Sequence, residues 1–247
     1  MTHGEDVLPT GFASLDGLVE GLRPGELAVL SGNMNVEFAF NLIDRIGIRS
    51  GRTVLLCTGG TPREQIIDRL TCCHAGIDSA TLNGEELGED KWNTIRDAAR
   101  DVYDSGVLID DSDVREWETF EMRAREMHPD YGLELLVANC SSIGGGALDE
   151  NRQTDRLTKL KGLAASLDIP VVAQGLGVAL AAAEGTADLM LHLDCAETGQ
   201  DRADQRPVQV SVTRRGEFVG ELTLSFWNKQ LRFGEEQQGN GCAHARN

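Results

Sequence analysis

Reactive chemistry in this chain should stand where a short apolar run, Leu27–Ser31, gives way to Gly32-Asn33-Met34-Asn35-Val36-Glu37-Phe38-Ala39 and then to an amphipathic stretch. A strand that ends in glycine and feeds a helix is the usual place of a phosphate-binding loop, G-x-x-x-x-G-K-[ST]. Its second glycine lets backbone N–H groups wrap the phosphates, its lysine holds the β/γ-phosphates and its hydroxyl binds magnesium. Counted from Gly32, the second glycine is Glu37, the lysine is Phe38 and the hydroxyl is Ala39. A unit charge pair about 4 Å apart at an effective dielectric near 20 is worth on the order of 4 kcal/mol. Loss of the lysine alone therefore weakens triphosphate binding by about three orders of magnitude. Glu37 adds repulsion, and Phe38 reads as core filler occupying the vacated phosphate pocket.

The other reactive residues are scattered. The six cysteines, Cys57, Cys72, Cys73, Cys140, Cys195 and Cys242, include no C-x-x-C pair, and several lie in apolar runs such as Val54-Leu55-Leu56-Cys57. They read as reduced, buried thiols. The five histidines show no i, i+4 pair and give no metal motif. Asp110-Asp111-Ser112-Asp113 has the makings of a metal cluster, but a strand-to-helix connection with a capping aspartate accounts for it more simply.

The elements that must position these residues alternate. Buried-strand candidates are Leu27–Ser31, Thr53–Thr58, Val107–Asp110, Leu133–Asn139, Pro170–Gln174 and Leu189–Leu193. Helix candidates are Glu37–Ile48, Pro62–Ala75, Asp90–Ser105, Val114–Met127 and Asn151–Leu167; Thr61 is the expected cap of the second, with Pro62 at its first position. Strand–helix alternation of this kind predicts an α/β fold around a mostly parallel sheet. From Pro207 the apolar residues recur every second position, Val208, Val210 and Val212, then Leu222, Leu224 and Phe226 beyond a turn at Arg215-Gly216-Glu217, which predicts an antiparallel hairpin or meander. One domain over 10–235 is expected, with a flexible N-terminus at 1–9 and a disordered tail at 236–247.

The 247 residues carry 40 Asp plus Glu against 23 Lys plus Arg, a net charge of −17. Such a surface repels phosphate polymers and anionic membranes, so contact with nucleic acid requires a local basic patch. No stretch is long and apolar enough for a signal peptide or a membrane span, and a cytoplasmic location is expected.

Collinear segments add a family resemblance. Pro9-Thr10-Gly11-Phe12, Leu15-Asp16, Gly21-Leu22-Arg23-Pro24-Gly25-Glu26-Leu27, Trp92, Leu108-Ile109-Asp110-Asp111, Glu150-Asn151-Arg152-Gln153, Leu160-Lys161-Gly162-Leu163-Ala164 and Ile169-Pro170-Val171 stand in one order. Together they resemble the C-terminal RecA-like motor domain of DnaB-type replicative helicases. The resemblance implies a RecA-like P-loop NTPase fold, with helices on both faces of the central sheet and a C-terminal antiparallel hairpin. It also implies that Gly59 stands at the family's catalytic glutamate and Asn139 at its Walker B aspartate. Gln174 matches its phosphate-sensing glutamine, and Thr213-Arg214-Arg215 its Lys-x-Arg, which reaches the neighbouring subunit's nucleotide. The segment Gly177 to Glu184 lacks the arginine usual there. The expected DNA-facing loop, Ser141 to Gly146 and the approach to Arg152, has no Lys or Arg before Arg152 itself.

The expected function is that of a DnaB-like protein without ATPase motifs, a pseudo-helicase serving as a non-catalytic binding or regulatory subunit in DNA replication or recombination. The alternative is a divergent DNA-binding ATPase with an unconventional nucleotide site. No cofactor is expected; ATP and magnesium enter only under the alternative. Expected partners are further copies of itself, a replicative helicase or another replication protein, with single-stranded DNA bound weakly and no membrane. The chain begins almost at the motor domain, which is expected to leave no room for the family's N-terminal helical domain.

Overall fold

A computed structural model describes residues 7–83, 88–113, 116–141, 143, 150–175, 183–196 and 204–235. Residues 1–6, the loop glycines Gly144 to Gly146, most of the Gly177 to Glu184 segment, Val114, Cys242 and the 236–247 tail lie outside the described residues.

A short helix α1 (Ala13–Val19) leads into β1 (Leu27–Ser31), every residue of which is buried. Ahead of α1, Leu8 is buried and pairs antiparallel with Leu22, so packing reaches into the N-terminal stretch expected to be flexible. Helix α2 (Asn35–Ile43) continues in wider π-helical turns over Asp44–Arg49. Then come β2 (Val54–Cys57), α3 (Arg63–Ala75), α4 (Glu89–Tyr103), β3 (Val107–Asp110), α5 (Trp117–Tyr131), β4 (Leu135–Asn139), α6 (Glu150–Leu167), β5 (Val171–Gln174) and β6 (Leu189–Asp194). After them follow β7 (Gln205–Arg214), β8 (Glu217–Trp227) and β9 (Arg232–Glu235).

The nine described strands form one sheet in the order β3-β2-β4-β5-β1-β6-β7-β8-β9. β1 to β6 pair in parallel and β6 to β9 antiparallel. The α/β reading is therefore correct, and both sequence periods appear where expected. Parallel strands buried on both faces read as continuous apolar runs, whereas β7 alternates, with Val208, Val210 and Val212 inward. The β7–β8 turn is Arg215-Gly216, both at positive φ (51° and 81°), the backbone that a two-residue hairpin of matching twist requires. Two apolar clusters fill the two faces of the sheet. One gathers Phe12, Phe38, Leu42, Phe226 and Phe233, the other Leu136, Phe120, Leu157 and Leu163. Cys57, Cys72, Cys73, Cys140 and Cys195 are free and buried, and burial pushes the Cys72 thiol up to about 11 and those of Cys73 and Cys140 up to about 12. Among the described residues no helix is long and apolar enough to cross a membrane.

Two capping expectations need correction. Pro62 itself holds the cap position of α3, extended at ψ 138°, and makes no side-chain cap bond. The exposed Arg63 N–H at the helix start is taken by Asp111 Oδ2 at 3.2 Å. Asp111 thus caps the helix after β2, not the one after β3. Asp110 instead binds the Ser112 N–H at 3.1 Å and Arg123 Nη1 at 3.1 Å. Among the described residues no group of three or more His, Cys, Asp or Glu is placed to hold a metal ion.

Candidate functional site

The carboxyl ends of β1, β2, β4 and β5 meet at one rim, and the residues singled out in the sequence gather there. Gly32 turns the chain off β1 at φ +87°, packed so closely on the Leu193 backbone that any Cβ would collide with it. Asn33 locks this turn to the end of β6. Its Nδ2 donates to the Cys195 carbonyl and its Oδ1 accepts the Cys195 N–H, both at 2.9 Å. Asn35 does the same toward β5, donating to the Gly32 carbonyl at 2.6 Å and accepting the Gly175 N–H at 2.9 Å.

These bonds hold a short connection between β1 and α2. Only Gly32, Asn33 and Met34 separate β1 from α2, which begins at Asn35. Position counting from Gly32 therefore misplaces the loop's parts. Phe38 and Ala39 lie inside the helix and are buried, at 0% and 1% exposure. Phe38 does not occupy a phosphate pocket: its ring stacks on Phe12 at 5.2 Å and meets Phe233 edge-on at 5.3 Å, deep in the core. The residues of α2 that reach the strand-end cleft are Val36 and Phe40, alternating with Phe38 around the helical turn.

The cleft itself is small, about 150 Å³, below the roughly 300–1,000 Å³ that encloses a typical small-molecule ligand. Its charge comes from Arg69 on α3, which sequence reasoning missed. Arg69 Nη2 pairs with Glu37 Oε1 at 2.9 Å and its guanidinium lies 4.4 Å over the Phe40 ring. Nothing in the spacing could announce a pair 32 positions apart. At the cleft floor β4 and β5 place Asn139 beside Gln174 in register. Asn139 Nδ2 donates to the Thr58 carbonyl at 3.1 Å, and its Oδ1 accepts from the Ser141 N–H at 3.2 Å and hydroxyl at 2.7 Å. A carboxylate there could not make the first of these bonds. Gln174 is 4% exposed, and its Oε1 has no partner, as has Arg69 Nε. Gly59, at φ +65°, follows β2 on the same rim.

The helix start offers no lysine, Glu37 pairs with the nearby guanidinium, and Asn139 spends its amide on the Thr58 carbonyl.

The expected inter-subunit arginines stand elsewhere. Arg214 is committed within the chain: Nη1 pairs with Glu26 Oε2 at 2.9 Å, and Nη2 donates to the Val19 and Gly21 carbonyls at 3.2 Å. Burial pushes its guanidinium below the usual range, against the favourable field of Glu26. Arg215 shares the same carboxylate at 3.0 Å, with its side chain 67% exposed. Arg152 is exposed on the first turn of α6.

Residues 7–176 match the family described as the DnaB-like helicase C terminal domain. The chain belongs to that family. It is 25% identical over 185 residues to the replicative DNA helicase DnaB of Geobacillus stearothermophilus, an alignment covering 70% of this chain and 41% of the relative. With the Haemophilus influenzae DnaB it shares 29% identity over 225 residues, 87% of this chain and 44% of the relative. The chain thus spans less than half the length of these curated relatives. Among solved structures, a DnaB-like replicative helicase, described with its interactions with primase, superposes with a TM-score of 0.78 at 16% identity over 92% of this chain and 61% of that one. A separately solved ATPase domain gives 0.78 at 18% identity, covering 95% of this chain and 93% of that one. The RecA-like architecture of the DnaB-like chain is thereby established, together with its relation to replicative helicases.

Proposed function

We propose that this DnaB-like domain does not hydrolyse ATP and acts as a binding or regulatory subunit in DNA replication, docking on copies of itself or on a replicative helicase. The observation that carries the reading is the start of α2 after only three residues beyond β1, which leaves Phe38 in the core and no lysine on the first turn of α2. The Glu37–Arg69 pair supports it by neutralising the one guanidinium among the described residues of the cleft wall. The four lysines of the chain, Lys91, Lys159, Lys161 and Lys229, do not line this cleft. Retention of the family fold without a working hydrolytic site suits a protein that presents a surface.

Phosphate release from Mg-ATP by the purified chain, followed alone and mixed with a DnaB-type helicase, tests this. The expected result is no release above buffer from the chain alone and co-elution with the helicase or self-association on size exclusion. Sustained turnover by the chain alone overturns the non-catalytic reading; a monomer that ignores the helicase overturns the docking role.

A further inference from the structure

A larger cleft lies away from the strand ends, beside edge strand β9. It measures about 610 Å³ and shares no lining residue with the strand-end cleft. That volume lies within the roughly 300–1,000 Å³ of small-molecule sites.

Its lining combines three features that a single ligand could satisfy. First, Arg45 and Arg232 both face it, and among the described residues neither has a carboxylate at ion-pair distance. Arg45 is held in place by bonds to the Gly11 and Phe233 carbonyls and by stacking 3.8 Å over the Phe12 ring. Burial pushes its guanidinium below the ordinary value; Asp44 and Glu235 oppose this, while Arg232 and Arg49 add repulsion. An anion beside Arg45 and Arg232 relieves that repulsion. Second, the indole of Trp227 lines the cleft, backed by Gly234, where an added Cβ would come within 2.7 Å of the ring. Third, Gln230 Oε1 is buried with no hydrogen-bond partner, an acceptor awaiting an N–H or O–H. The Glu235 carboxylate also lines the cleft and couples to Arg45, and it accepts the Ser14 N–H. On a chain of net charge −17, two neighbouring guanidiniums without an ion-pair partner among the described residues run against the average field.

Two guanidiniums suit a phosphate, an indole face suits a base, and an orphan acceptor suits a base N–H or a sugar hydroxyl. We propose that the β9 cleft binds a nucleoside phosphate, with Arg45 and Arg232 on the phosphate and Trp227 against the base. The nucleoside phosphate is either a free nucleotide or one residue of a single strand.

Tryptophan fluorescence of the full chain, titrated without magnesium by dAMP and separately by a short oligodeoxyadenylate, tests this. Saturable quenching is expected with dAMP, lost in Trp227→Phe although Trp92 and Trp117 remain. Arg232 is exposed, so Arg232→Ala should keep the fold by circular dichroism and bind roughly tenfold more weakly or worse. Tyr103→Ala, exposed and outside this cleft, should bind as the parent does. Saturation by the oligonucleotide alone supports the site and assigns it to a strand. Absence of saturation by either ligand into the millimolar range, or equal affinity in Arg232→Ala and the parent, overturns the proposal.

Discussion

At the carboxyl ends of β2, β4 and β5 the charged and polar groups are largely answered from within the chain: Arg69 by Glu37, and Asn139 by Thr58 and Ser141. Beside β9 the opposite holds, with Arg45 and Arg232 facing a cleft of about 610 Å³ rather than 150 Å³ and no carboxylate at ion-pair distance among the described residues. One sheet supports both, so the contrast comes from the side chains and connections at its rim. A site loses its ligand chemistry when its polar groups find each other, since each internal bond removes the desolvated donor or acceptor that a ligand would have satisfied. Ligand chemistry is kept available where packing fixes a charge by bonds to neutral carbonyls, as Arg45 is fixed by Gly11 and Phe233, rather than by a direct ion pair.

The strongest way to break this comparison is Phe38→Lys. If α2 is built as described, the new ammonium enters a core of aromatic rings, and the variant loses roughly 3–5 kcal/mol of stability or fails to fold. Denaturant unfolding measures this, with Phe38→Leu as a milder control costing about 1–1.5 kcal/mol. A stable Phe38→Lys protein that gained Mg-ATP affinity would mean that the position faces phosphate after all, and that the strand-end region is closed by side-chain identity alone. A smaller effect is expected from Asn139→Asp, which removes the donor to the Thr58 carbonyl and sets a carboxylate against it. A loss of about 1–3 kcal/mol at neutral pH should appear as a shift in the urea midpoint. An unchanged midpoint would show that the amide is not what seals the strand ends.

The smallest effect probes the β9 side. Burial acts to raise the Glu235 carboxyl, but hydrogen bonds from Ser14 and Ala13 outweigh it and hold the group below its ordinary value. A depressed folded-state value means that its stabilisation is present above the unfolded-state value and is lost as pH falls through the folded one. Glu235→Gln should therefore be less stable than the parent near neutrality, where the charged group contributes, and flatten the acid limb so that the two profiles converge at low pH. An acid limb identical to the parent's would show that the Ser14 contact does not anchor this end of the cleft.

Much of the fold was legible because its signals are local. The apolar run Leu27–Ser31 is β1 as read, and Val107–Asp110 is β3, since strands buried on both faces need continuous hydrophobicity. The Arg215-Gly216 turn was equally plain. Boundaries were harder: α2 starts at Asn35 rather than Glu37, because Asn35 bonds back to Gly32 and across to Gly175 on a distant strand. α1 went unread, a seven-residue helix ordered by packing Leu15 and Val19 into the core. In the site, the Asn139–Gln174 adjacency follows from two neighbouring parallel strands ending together, whereas Arg69 could not be placed from its own segment.

By itself the sequence determined the alternation of strands and helices, the antiparallel close and the acidic surface, which depend on residue type and short-range order, and the membership of this chain among DnaB-like domains, which depends on the order of segments along the chain. Only the tertiary structure decided that Phe38 belongs to a cluster with Phe12 and Phe233, that Glu37 is spent on Arg69, that Arg214 is held by Glu26, and that Arg45 and Arg232 look into one cleft. The reason is physical. Whether a charge is neutralised or available depends on which groups lie within a few ångströms of it, and those groups come from elements far apart along the chain.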